Sequence, residues 1–117
     1  LVSEMEWQSV EKSIGVAADW RGMYPSWETP YGALVPQKIR GALAAGRCIN
    51  TPGNDAWEVF RVIPAAAMTG EAAGTAAALA AAQGCDPKEL NIENLRNQLR
   101  KNNFRFHLEE CGLEVRS

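Results

Sequence analysis

The stretch from Pro64 to Gln83 constrains this chain more than any other, because nearly every residue in it is alanine or another type that tolerates a helix. Pro64 has the fixed backbone angle favoured at the first helical position, and Gly84 follows where a left-handed C-terminal residue is wanted. The pattern predicts one long helix over 64–83. Gly70 and Gly74 fall on one face with Ala66, Ala67, Ala73, Ala77 and Ala78 nearby, so that side is expected to be flat enough for close approach to a sheet or a neighbouring helix. The same run is the most apolar part of the chain. Alanine is too weakly hydrophobic to hold Glu71, Thr69 and Thr75 in lipid, so a membrane span is not expected.

Around this helix the chain reads as short strands and turns. Ser13–Ala18 is a small apolar run of strand length. Asp19 to Pro30, with Trp20, Tyr24 and Trp27, reads as an irregular aromatic segment whose rings serve packing. Tyr31–Val35, bracketed by Pro30 and Pro36, reads as an edge or connecting strand, because neither proline can donate to a ladder. Ala42–Ile49 (ALAAGRCI) reads as a buried strand, and Asn50–Phe60 as a loop that leads into the long helix. After Gly84, the residues Asp86, Pro87 and Glu89 form the capping pattern of a short turn. Asn91 caps a second helix over about 92–102, with Ile92, Leu95 and Leu99 as its buried stripe. Phe104 to Val115 fits two short strands or a frayed tail.

Length and charge narrow the classes. The 117 residues suffice for one domain, 1–117, of α+β type, with short strands and two helices, the longer one alanine-rich. Twelve basic against fourteen acidic residues, with neither sign gathered into a block, give no footprint for nucleic acid or anionic lipid. The three cysteines, Cys48, Cys85 and Cys111, have no CxxC spacing, and His107 is the only histidine. A disulfide framework and a metal site are therefore not expected, and a reducing, cytoplasmic setting is. Cys48 reads as structural and His107 as solvent-facing. The chain opens on Leu1 and reads from its start like the middle of something longer.

A succession of features carries the chemistry: a strand ending in Ala-Gly-Arg, a polar loop, an arginine, and a helix opened by proline. Small residues at Ala44, Ala45 and Gly46 let the backbone approach a ligand more closely than larger side chains would. A helix mouth at Pro64 presents unpaired N–H groups and partial positive charge to whatever lies before it. Both suit a flat cofactor that carries negative charge. On residues alone, Arg47 and Arg61 read more simply as surface or ion-paired arginines, and Glu58 as one loop carboxylate among many.

The run WETPYGALVPQKIRGALAAGRCIN, followed by DAWEVFRVIPAAAMTGEAAGTAAALAAAQG, resembles the C-terminal section of the bacterial FAD-dependent oxidoreductases of the glutathione-reductase-like superfamily. The resemblance covers about Glu28 to Asn102. It rests on a Pro-Tyr-x-x-Leu-Val-Pro segment, an Ala-Gly-Arg-Cys-Ile segment and an Arg-Val-x-Pro approach to a Thr-Gly-x-Ala-Ala-Gly helix, in that order. It implies a partial FAD-binding domain in which Ala45, Gly46 and Arg47 meet the ribityl chain and flavin edge. Arg61, Val62, Ala65 and Ala66 would lie by the pyrimidine, with Arg61 the candidate to touch flavin or substrate. Many relatives place a His and a Glu in the loop before that arginine. This chain has Asn54, Asp55, Trp57 and Glu58, so its acid–base groups and its substrate stay unassigned.

No GxGxxG turn occurs in the sequence, and such enzymes need one, with an acidic ribose ligand, to hold the dinucleotide. The expectation is therefore a C-terminal fragment that binds FAD weakly or not at all alone and works with an N-terminal FAD-binding half. That half would be encoded by the same gene or by a separate chain, and the pair would act on a small-molecule substrate. A freestanding, non-enzymatic α+β interaction module is the alternative.

Overall fold

The computed structural model describes residues 9–19, 26–51 and 55–115. Trp20 and Tyr24, counted above among the packing aromatics, lie outside them. The small apolar run forms strand β1 (Ser13–Ala18), which pairs antiparallel with β2 (Ser26–Pro30), Val16 facing Glu28 and Ala18 facing Ser26. β2 corrects the reading of Asp19–Pro30 as irregular throughout. Its residues Ser26 to Thr29 are all buried, so no in-and-out alternation marks it as a strand. Among the described residues three α-helices follow: α1 (Asp55–Phe60), α2 (Ile63–Gln83) and α3 (Ile92–Arg100). The short α1 occupies what reads as loop in the sequence, whereas α2 and α3 lie where their punctuation puts them.

That punctuation is local. Gly84 ends α2 at φ 65°, and the Asn91 side chain accepts from the N–H groups of Glu93 and Asn94 at the start of α3. Between the helices, Asp86 accepts from Lys88 N and Gly41 N, and these hydrogen bonds hold its carboxyl below the usual range. The buried Tyr31 hydroxyl donates to Pro87 O at 2.7 Å. Burial first, then Cys85 and Asp86, pushes its pKa up to about 12.

α2 packs against β1, α3 and the Gly46–Cys48 turn, with Ala65, Thr69, Ala72, Ala73, Ala76 and Ala80 buried. The register between the strands slips between Ser13 and Val16, and Gly15 sits in that irregularity under Met68 of α2. A Cβ at Gly15 would fall 2.4 Å from the Met68 sulfur, so the bare glycine leaves the space that the Met68 side chain fills. Gly70 and Gly74 do not serve the contact predicted for them. A Cβ at either position meets nothing within 4 Å, and the burying face is the one carrying Thr69 and Ala76. With alanine on every side of the helix, composition cannot tell which face turns inward.

Two predicted strands are absent. Tyr31–Leu34 is a 3-10 turn. In Ala42–Ile49, Ala45 is extended (φ −145°, ψ 163°), and the chain then turns through Gly46–Cys48. Ala45 has strand dihedrals, but a strand also needs a neighbour, and the sheet among the described residues is the β1–β2 hairpin alone. Phe104 to Val115 forms no strands either. Its Leu108–Cys111 turn presses Leu108 into the core beside buried Phe106, and the guanidiniums of Arg96 and Arg100 lie 5.4 and 4.7 Å from the Phe106 ring centre.

Candidate functional site

The turn at Gly46 is built first, by a threonine. Thr69 is fully buried in α2, and its hydroxyl donates to Ala65 O at 2.8 Å while accepting from Gly46 N at 2.9 Å. Gly46 has φ 63°, where a side chain is strained, and a Cβ there would stand 3.6 Å from that of Ala66. The bend is thus what calls for a glycine, since a Cβ at that distance from Ala66 would be in ordinary contact. The seating residue was legible only as part of the Thr-Gly pattern, and nothing in its type pointed to a partner 23 residues away.

Arg47, next along, leaves the turn exposed and donates from Nε to the carbonyl of Arg61 at 3.3 Å. Arg61 closes the segment between α1 and α2, and its guanidinium lies 5.0 Å from the Trp57 ring centre, a cation over an aromatic face. Arg47, Arg61, Val62, Ile63 and Pro64 together line an open, mostly apolar depression of about 450 Å³. Ile63 is 84% exposed and Trp57 45% exposed, so both large apolar side chains face outward at this end of α2. Trp57 therefore lies outside the core of this chain, whereas Trp27 and Tyr31 belong to it.

Among the described residues no side chain caps the helix mouth beneath them. Val62 is extended at φ −87° and ψ 163°, Pro64 contributes no N–H, and the first turn carries no acidic residue. The positive end of a 21-residue helix is thus left without a carboxylate of its own. Of the seven residues singled out from the sequence, Arg47, Arg61 and Val62 come together on the depression. Ala45 and Gly46 form the adjoining turn, half-buried, and Ala66 lies beneath it. Ala65 does not join them. It is buried in the core with Ile14 and Ala72.

A second polar centre was not legible. Glu28 is fully buried on β2, where Oε1 accepts from Leu108 N at 2.8 Å and Oε2 accepts from Val10 N and lies 3.0 Å from His107 Nδ1. His107 is therefore half-buried against a carboxyl and not simply solvent-facing, and a sequence separation of 79 residues hides the pair. With both oxygens engaged, Glu28 is a clasp between strand and tail. Cys48, read as structural, is exposed.

Among the described residues no group of His, Cys, Asp and Glu is placed to hold a metal ion, and no helix is long and apolar enough to cross a membrane. The family model for FAD dependent oxidoreductases matches residues 5–99. No curated protein and no solved structure matches the chain.

Proposed function

We propose, from the premise that this chain belongs to the family of FAD-dependent oxidoreductases, that it is the flavin-proximal, C-terminal part of such an enzyme, of the bacterial glutathione-reductase-like kind. The observation that carries this is the meeting of two segments 14 residues apart, the Ala45–Gly46–Arg47 turn and the uncapped mouth of α2 behind Arg61. The residues fit a flavin on chemistry. Small residues at Ala45 and Gly46 permit close approach, and a helix end without its own carboxylate favours negative charge. Two guanidiniums beside it favour the same sign.

Ala45, Gly46 and Arg47 would hold the ribityl side and flavin edge, and Val62 and Ala66 would support the pyrimidine side with Arg61 at its border. Ala65 would act from behind, as packing that fixes the first turn. Bound FAD supplies the uptake of a hydride or of electrons from an organic substrate. The chain's own part is to orient the ring and to stabilise charge on it by dipoles already in place. Thr69 belongs to that part, because its hydroxyl fixes Gly46 before any ligand arrives.

The sequence carries no GxGxxG turn, so the pyrophosphate would be anchored by an N-terminal half, in the same gene or in a partner chain, working in the cytoplasm. The test is co-expression with the coding sequence upstream of Leu1, or with a GxGxxG-bearing neighbour. The expected product is a yellow complex with the visible absorption of bound flavin, while the chain alone stays colourless. A colourless complex from both arrangements would end this reading.

A further inference from the structure

A hollow of about 310 Å³ lies away from the helix mouth, among the lead-in to β1, the Tyr31–Leu34 turn and the start of α3. Tyr31 ties these segments together. Its N–H donates to Lys12 O at 2.9 Å and its hydroxyl to Pro87 O at 2.7 Å. One buried side chain thus holds the backbone at Lys12 and the backbone next to Lys88 in fixed relation, and both lysines line the hollow. Val35, Pro36, Leu90 and Ile92 make the rest of the lining mostly apolar. The Lys88–Ile92 wall follows the C-terminal end of α2, whereas the Gly46 turn is bonded to the first turns of that helix, about 30 Å of α2 separating its two ends. No lining residue is among those assigned to the flavin.

The charge here runs against that of the chain. The net charge is −2, yet two ammonium groups share one hollow whose lining, among the described residues, includes no carboxylate. Acids beside them in sequence are engaged with arginines. Glu89 and Asp86 reach Arg40 at 3.6 and 3.5 Å, and Glu93 reaches Arg96 at 2.9 Å. An ammonium is a compact point charge on a flexible stem and lacks the planar fork that suits a carboxylate, so two of them converge readily on one doubly charged head with several acceptor oxygens. A phosphate monoester is such a head, with about two negative charges near neutral pH.

We propose that this hollow binds a small phosphate monoester with an apolar body, its phosphate on Lys12 and Lys88 and its body against Val35, Pro36 and Ile92. The volume equals that of about ten waters, room for one phosphate and one ring or short chain. Inorganic phosphate would leave the apolar lining in water, and an uncharged molecule would displace water from two ammonium groups without replacing it. The site is separate from that of the flavin and does not depend on it.

The test titrates the chain with phenyl phosphate while the Leu90 and Ile92 amide resonances are followed, with inorganic phosphate and benzyl alcohol as the two half-ligands. Saturable shifts centred on these amides are expected with phenyl phosphate, and binding at least about tenfold weaker with either half. Both lysines are exposed, so K12Q and K88Q leave the packing intact. Each should weaken phenyl phosphate by about fivefold, and together they should abolish the saturable shifts. K101Q removes an equally exposed lysine, which donates to Gln98 Oε1, and should leave binding unchanged. Inorganic phosphate binding as well as phenyl phosphate would overturn the proposal, by reducing the hollow to a pair of surface charges. An unaffected K12Q/K88Q double variant would overturn it too, as would shifts centred on the Gly46 and Val62 amides, which would put the anion at the helix mouth. A colourless complex in co-expression would remove the flavin and leave this site standing.

Discussion

Replacing Glu28 by glutamine tests how much of the fold hangs on one buried carboxyl. The side chain is fully buried and serves three partners: Val10 N and His107 Nδ1 at one oxygen, and Leu108 N at the other. An amide of the same shape has one acceptor oxygen. If it faces Leu108, the amine can donate to His107 in its other tautomer, and Val10 N loses its acceptor. If it faces Val10, the amine meets the Leu108 N–H head on. In either pose one backbone donor is stranded, which costs about 1–3 kcal/mol, and the remaining bonds lose charge assistance. Glu28→Ala strands every donor and opens a cavity, for about 3–5 kcal/mol. Against a total of about 5–15 kcal/mol for a domain of ordinary stability, the alanine variant approaches the unfolding threshold. His107→Ala removes one partly exposed contact and should cost about 1 kcal/mol. Urea unfolding followed by circular dichroism gives the three values, and Leu108 amide exchange locates the effect. A Glu28→Ala variant within 1 kcal/mol of the parent would refute the reasoning, as would a Glu28→Gln variant no worse than His107→Ala.

Other substitutions probe the packing around the site. Thr69→Val keeps the volume and removes the acceptor for Gly46 N, so about 1–2 kcal/mol should be lost, with faster exchange at the Gly46 amide, while Thr69→Ser keeps both. Gly15→Ala drives a methyl into Met68 and should cost about 1–3 kcal/mol by the same unfolding assay, part of it recovered when Met68 is also made alanine. Glu110 pairs with Arg100 through two hydrogen bonds of 3.0 and 3.1 Å, which lower its carboxyl pKa in the folded chain. A lowered folded pKa contributes stability that is present above the ordinary glutamate range, near pH 4.3, and is lost as pH falls through the folded value. Acid titration of stability should therefore be shallower in Glu110→Gln, by under about 1 kcal/mol because the pair is at the surface.

What the sequence revealed and what it hid divide along the range of the interactions. α2, α3 and the Asp86 turn are written in neighbouring residues, such as Gly84, Asn91 and Pro87, whose effects act within a turn of the chain. β1 shows itself by composition. The strand expected at 42–49 fails because extended dihedrals are local and a ladder is not. β2 escaped because full burial erases alternation. At the site, Arg47 and Arg61 were singled out through a family pattern, and their spacing alone gives no sign that one side chain reaches the other's carbonyl. Thr69 and Glu28 act over 23 and up to 80 residues respectively, and the chain carries no record of such pairings for a reader without homologues to compare.

The tail after α3 bears on where this unit can be cut. The stretch shared with the oxidoreductase family stops at residue 99, yet Phe106 and Leu108, beyond it, have no exposed surface at all. Inherited pattern and cooperative body thus have different edges. A shortened gene that respected only the first would hand the ribosome a chain with a hollow where two of its largest buried side chains belong.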